Sequence, residues 1–396
     1  MAPPRAFPRF HRRRCPPPTA VSASYPPTGG VSPPKASKLI RRASFLFSLL
    51  TLSVVMLYTV NDPIRFPSAS ISSSTFVRFF PSYLHYSPPP DPMQHLEEIL
   101  RNASMGNNTV ILTTLNDAWA STNSVVDLFL KSFMLGEGTH WLLDHLVIIA
   151  LDEKAYNRCQ VIHKHCFSLV TEDVDFQQEA YFMTANYLKM MWRRIDFLRS
   201  VLELGYSFVF TDVDIMWFRD PFPRFFPDAD FQIACDHFLG SPDDLNNLPN
   251  GGFNYVKSNN RSIAFYKFWY ASHETYPGYH DQDVLNKIKF DPFISDIGLK
   301  IRFLDTAYFG GLCERSKDLN LVCTMHANCC FGMDSKLHDL KIMLQDWRAF
   351  TSLPPDLKKE SVISWRVPQN CSLDSLHHFD SPPFEIVDQE EQEEEN

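Results

Sequence analysis

Residues 208–221 read FVFTDVDIMWFRDP, and the interpretation of the whole chain turns on them. Phe208, Val209, Phe210 and Thr211 run straight into Asp212 and Asp214, with only Val213 between the two carboxylates. A short apolar run of this kind is the pattern of a buried strand. Side chains at i and i+2 of an extended chain point the same way, so both carboxylates can reach one hard cation. Two aspartates at a strand end are also ordinary turn or capping chemistry. The Trp217, Arg219, Asp220 and Pro221 that follow make the metal-binding reading the sharper one.

On either side the chain alternates between short apolar runs and helical stretches. Residues 110–115 (VILTTL) and 145–151 (HLVIIAL) are continuous apolar runs, as in buried parallel strands. Helices are expected at 121–135, 153–162 and 184–203, a third strand at 166–170, and Gly205 stops the last helix before the strand 207–211. This alternation predicts an α/β domain spanning 106–380, with a mostly parallel sheet and helices on both faces. Ligands of open sheets bind beyond the carboxyl ends of the strands, which puts the turn after Leu115 and the aspartate pair on one rim. Further on, Asn250, Gly251, Gly252 and Phe253 combine an amide with two glycines, so the backbone can approach a ligand closely; a plain turn explains them equally. His280, Asp281, Gln282 and Asp283 open a helix expected over 281–289, where Asp281 reads as a cap or as a carboxylate facing a ligand.

Taken in order, VILTTLNDAW (110–119), FVFTDVDIMWFRDP, NGGFNYVKS (250–258), HDQDVLN (280–286) and TMHANCCFGMDSKLHDL (324–340) resemble the plant-type nucleotide-diphospho-sugar transferases of glycosyltransferase family 77, over about residues 110–350. The resemblance implies a GT-A fold and a manganese-dependent Golgi enzyme. Such an enzyme moves a pentose or hexose from a UDP-sugar to a cell-wall polysaccharide or glycoprotein acceptor, with retention of anomeric configuration.

Carried over position by position, Asp212 and Asp214 match the metal motif, and His326 resembles a third metal ligand. Neutral imidazole beside two carboxylates suits Mn²⁺, although a histidine ending a core strand accounts for His326 almost as well. Lys336 is a candidate point charge for a diphosphate oxygen. Thr113, Thr114 and Asn116 follow the first strand, where such proteins cradle the nucleotide, and turn formation is the other explanation. Arg193 and Arg194 lie one helix before the aspartates, where relatives place a basic residue near the donor. Asn250, Gly251, Gly252 and Gln282 are candidate substrate contacts. Asp281 is the candidate catalytic carboxylate near the donor's anomeric carbon. A metal-dependent phosphoesterase would need a denser set of His and Asp ligands than the sequence offers. The remaining alternative is an inactive transferase-fold protein that binds glycan or serves as a scaffold.

The ends of the chain speak to compartment. Residues 1–42 carry nine Lys and Arg, ten prolines and no acid, and are expected to be a disordered cytosolic tail. Residues 43–60 (ASFLFSLLTLSVVMLYTV) hold no charge and just suffice to cross ~30 Å of hydrocarbon. Lys35, Lys38, Arg41 and Arg42 precede them, so the positive-inside bias predicts a type II signal anchor with the catalytic part in the lumen. The basic start thus points to a membrane rather than to nucleic acid. Residues 61–105, rich in Ser and Pro, read as a stem, and the acidic residues 381–396 as a disordered tail. Eight of the nine cysteines follow the anchor and permit up to four disulfides. Sequons at Asn102, Asn107, Asn260 and Asn370 are candidate glycosylation sites in such a lumen.

Overall fold

A computed structural model describes residues 91–169, 184–360 and 363–371. The expected cytosolic tail, anchor and acidic tail lie outside the described residues. Among the described residues no helix is long and apolar enough to cross a membrane.

In chain order the elements are helix α1 (Pro92–Ala103), strand β1 (Thr109–Leu115), helices α2 (Asp117–Ala120) and α3 (Val125–Leu135), β2 (Leu146–Ala150), α4 (Glu153–Ile162), β3 (Cys166–Ser168), α5 (Ala185–Glu203), β4 (Ser207–Thr211) and β5 (Ile215–Trp217). There follow β6 (Phe231–His237), β7 (Leu248–Val256), α6 (Asn260–Thr275), α7 (Asp281–Ile288), α8 (Pro292–Asp296), β8 (Ile301–Phe303), β9 (Phe309–Gly311), β10 (Thr324–His326), α9 (Met333–Thr351) and α10 (Pro355–Lys359).

Seven strands form one sheet in the order β3-β2-β1-β4-β7-β6-β8. β7 runs antiparallel to both its neighbours, and every other pairing is parallel. The mostly parallel sheet read from the sequence is therefore present, with one reversed strand. Its strands are largely apolar because both faces are covered. Successive side chains alternate between two cores: Ile111, Ile148 and Val209 face α3, α4 and α9, while Val110, Val147, Phe208 and Phe210 face α1, α5, α6 and α7. Each such side chain, fully buried, contributes roughly 1.5–3 kcal/mol. A second sheet, β5-β10-β9, was not foreseen from the sequence; its strands are three residues long.

One reading needs correction here. Residues 92–103, assigned to the stem, form α1, capped by Asp91 and started by Pro92. Leu96, Ile99, Leu100 and Ala103 recur at helical spacing and are buried in the core, so the folded domain begins before residue 106. Six of the eight cysteines form three disulfides, Cys159–Cys166, Cys313–Cys329 and Cys330–Cys371, within the four that the count permits. Cys235 and Cys323 are buried and unpaired. The four sequon asparagines are all exposed.

Candidate active site

β4 delivers Asp212 to the carboxyl edge of the sheet, where the chain turns rather than staying extended: the Ile215 amide donates to the Asp212 carbonyl at 3.2 Å. The turn still brings both carboxylates to one point, and β10, lying antiparallel to β5, adds His326. One ligand atom from each of Asp212, Asp214 and His326 lies within 4.8 Å of the others, a separation that a single coordinated cation spans. Gly252 completes the cradle, because a Cβ there would stand 2.6 Å from both Asp212 Oδ2 and His326 Cε1. Two carboxylates and an imidazole suit a divalent cation, so the residues present fit the metal that the sequence implied.

The charges around the cluster are paired. Asp214 is buried, with Lys336 Nζ 2.6 Å from Oδ2 and His326 Nε2 3.2 Å from Oδ1. Burial opposes its charge, but Lys336 and His326 hold its carboxyl well below the usual range. Burial pushes Asp212 up against the pull of Arg194, and neighbouring Asp214 adds to the rise. His326 is raised, its burial outweighed by the Asp214 carboxylate. Arg194, buried in α5 with its guanidinium over the Phe210 ring, bridges Asp212 at 3.2 Å and Asp281 at 2.5 Å. Asp281 is 1% exposed. Burial alone would raise its pKa, yet Arg194 and His280 bring it down to about 2. A carboxylate engaged on both sides in this way is suited to electrostatic support more than to nucleophilic attack.

These residues line a cleft of about 370 Å³ together with Thr114, Asn116, Trp119, Tyr187, Asp236, Asn250, Gly251, Gln282, Asn328 and the half-cystines of the 327–332 loop. The structure thus gathers Thr114, Asn116, Arg194, Asp212, Asp214, Asn250, Gly251, Gly252, Asp281, Gln282, His326 and Lys336 into one place. Asn250, Gly251 and Gly252 lie within β7, not in a plain turn; because that strand is reversed, its start meets the carboxyl ends of its parallel neighbours.

Two expected residues are elsewhere. Thr113 is fully buried on β1 between Leu112 and Thr114, does not line the cleft, and its Oγ1 has no hydrogen-bond partner among the described residues. Alternation along the strand turns it away where Thr114 turns inward. Arg193, about 100° around α5 from Arg194, does not line the cleft and pairs with Asp196 at 3.3 Å. Sequence reading passed over Asn328 and ranked Asp236, with Asp283, only next in line behind Asp281. Yet FQIACD at 231–236 repeats the FVFTD pattern of an apolar strand ending in a carboxylate, and β6 runs parallel to β4 on the same rim.

The family model for nucleotide-diphospho-sugar transferases matches residues 141–340. An uncharacterized protein of Arabidopsis thaliana is 49% identical over 282 residues, 71% of this chain and 74% of the relative. The Arabidopsis thaliana UDP-D-xylose:L-fucose alpha-1,3-D-xylosyltransferase 3 is 31% identical over 94 residues, 23% of this chain and 24% of the relative. Among solved structures, a glycosyltransferase involved in the glycosylation of the major capsid of PBCV-1 superposes with a TM-score of 0.34 at 11% identity, covering 59% of this chain and 98% of that one. With its acidic cluster and cleft at the carboxyl edge of an α/β sheet, the chain belongs to the nucleotide-diphospho-sugar transferase family and is a glycosyltransferase.

Proposed function

We propose that this glycosyltransferase takes a UDP-sugar as donor and passes the sugar, a pentose or hexose, to a cell-wall polysaccharide or glycoprotein, in a Mn²⁺-dependent and retaining reaction within the Golgi lumen. The observation that carries the reading is the convergence of Asp212, Asp214 and His326 at one point of a cleft. Bound there, a divalent cation supplies positive charge against the diphosphate of the leaving group. Lys336, held at the same point by Asp214, adds a second cation on the diphosphate side. Thr114 and Asn116, which line the cleft at the end of β1, would contact the nucleoside. Asp281, kept ionised by Arg194, offers negative charge where positive charge develops at the anomeric carbon. The xylosyltransferase relative is named for a UDP-pentose donor, which supports UDP and a pentose for this chain. Three disulfides and exposed sequons at Asn102, Asn107, Asn260 and Asn370 support an oxidising, glycosylating compartment, consistent with a type II anchor at residues 43–60.

The purified full-length chain, incubated with a panel of UDP-sugars and Mn²⁺, is expected to hydrolyse at least one donor slowly without acceptor, and chelation is expected to stop it. No turnover of any donor together with no UDP binding would refute the reading.

A further inference from the structure

Four aspartates line the cleft, and three of them already face cations: Asp212 meets Arg194, Asp214 meets Lys336 and His326, and Asp281 meets Arg194 and His280. Asp236 differs. Among the described residues no Lys, Arg or His stands within ion-pair distance of it, and its partners are three side-chain amides. Asn250 Nδ2 and Asn328 Nδ2 each donate to Oδ1 at 2.8 Å, and Gln282 Nε2 donates to Oδ2 at 2.9 Å.

The orientation of every amide is fixed from behind. The Asn250 carbonyl oxygen accepts from the Gly252 amide at 2.9 Å, that of Gln282 from the Gly251 amide at 2.9 Å, and that of Asn328 from the Cys313 amide at 3.1 Å. A backbone N–H can only donate, so each side-chain oxygen is committed and each NH₂ must turn toward Asp236. A carboxylate has about four lone-pair sites, and three are taken, two of them on Oδ1. Oδ2 therefore keeps an acceptor site, ringed by NH₂ groups that each retain a second N–H. A site with one strong acceptor and adjacent donors, and no net cation, is matched to a hydroxyl group, which donates once and accepts as well.

Its place in the cleft says whose hydroxyl. Gln282 follows Asp281 directly, and a Cβ on Gly251 would lie 3.6 Å from Asp281 Oδ2. Asn250 Oδ1 would be 2.9 Å from a Cβ on Gly252, the residue that floors the metal cradle. Asp236 thus sits one side chain beyond both the metal donors and the anomeric carboxylate. We propose that Asp236, oriented by Asn250, Gln282 and Asn328, binds a ring hydroxyl of the donor's sugar and is a specificity-determining residue of the transferase. This rests on the UDP-sugar reading above. It accounts for the amide ring in a way that a structural carboxylate, normally neutralised or capping, does not.

The test compares Mn²⁺-dependent binding of UDP, UDP-xylose and UDP-galactose to the full-length chain by calorimetry. Asp236→Asn should weaken the better-bound UDP-sugar at least tenfold while UDP affinity stays within about twofold. An unchanged UDP-sugar affinity in the folded variant would overturn the proposal, and so would an equal loss for UDP and UDP-sugar, which would mean that Asp236 merely shapes the cleft. Asp236→Ser, smaller and still able to accept from the amides, serves if the asparagine variant fails to fold, and the same two outcomes decide it. Should the wild-type chain bind neither UDP nor any UDP-sugar, the donor reading itself has failed, and this proposal falls with it.

Discussion

One methyl group tests the metal site. Gly252→Ala would place a Cβ 2.6 Å from Asp212 Oδ2 and His326 Cε1, inside β7 where the backbone has no need of glycine's conformational freedom. Overpacking of that kind costs about 1–3 kcal/mol, and since it falls on two ligands, Mn²⁺-dependent UDP affinity should drop about tenfold or more in calorimetry. Asp214→Asn, which keeps the shape that the partly buried Lys336 and His326 pack against, should abolish that binding; unchanged affinity would dismiss the metal assignment. Asp281→Asn should lower kcat by about 10²-fold at near-constant donor Kd, because only the charge is lost. Its pH signature has a definite sign. The folded-state pKa of about 2 lies below the ordinary 3.8, so the carboxylate's contribution to stability is complete above about pH 4 and lost as pH falls toward 2. Acid unfolding of the wild type should therefore be steeper across that window than that of the asparagine variant. At this scale the sequence was informative wherever a residue type has few uses. An apolar strand ending in carboxylates announced Asp212 and Asp214. Thr113 beside Thr114, and Arg193 beside Arg194, were indistinguishable in type, and only the rotational phase of strand and helix separates the pair members.

The elements that position the site divide into those with strong periodicity and those held by distant partners. Helix Glu153–Ile162 and strand Ser207–Thr211 fall where their patterns put them, because capping, apolar spacing and Gly205 all act locally. The sheet of β5, β10 and β9 could not be read so directly: its three-residue strands have no period, and they exist only because remote segments meet. The helix Pro92–Ala103 was legible but masked by the prolines before it. The 327–332 loop owes its path to covalent links, with Cys329 bridged to Cys313 and its neighbour Cys330 to Cys371. Replacing Cys330 and Cys371 together by serine should cost about 2–4 kcal/mol and free the segment 363–371, measurable as a lower Tm; an unchanged Tm would show that the strap is held by packing alone.

For the whole molecule, the proposed type II anchor is the reading most open to a direct check. With the four basic residues before residues 43–60 kept on the cytosolic side, protease added outside sealed Golgi vesicles should remove only the N-terminal tail. Digestion around Asp212 would reverse the topology. The covalent and electrostatic wiring of the catalytic half has a further consequence in time. Lys336 answers Asp214 across 122 residues of chain, and Cys371 fastens the loop between His326 and Lys336 only after both have been made. On a ribosome Arg194 is made before the acidic pair it faces, but the partners of Asp214, His326 and Lys336, are still untranslated when the pair emerges. A product cut short before His326 would carry both aspartates and most of the large sheet, yet have no third ligand and no cation for Asp214. Assembly of the acidic cluster with its partners thereby requires translation at least as far as Lys336, so that shorter products cannot complete it.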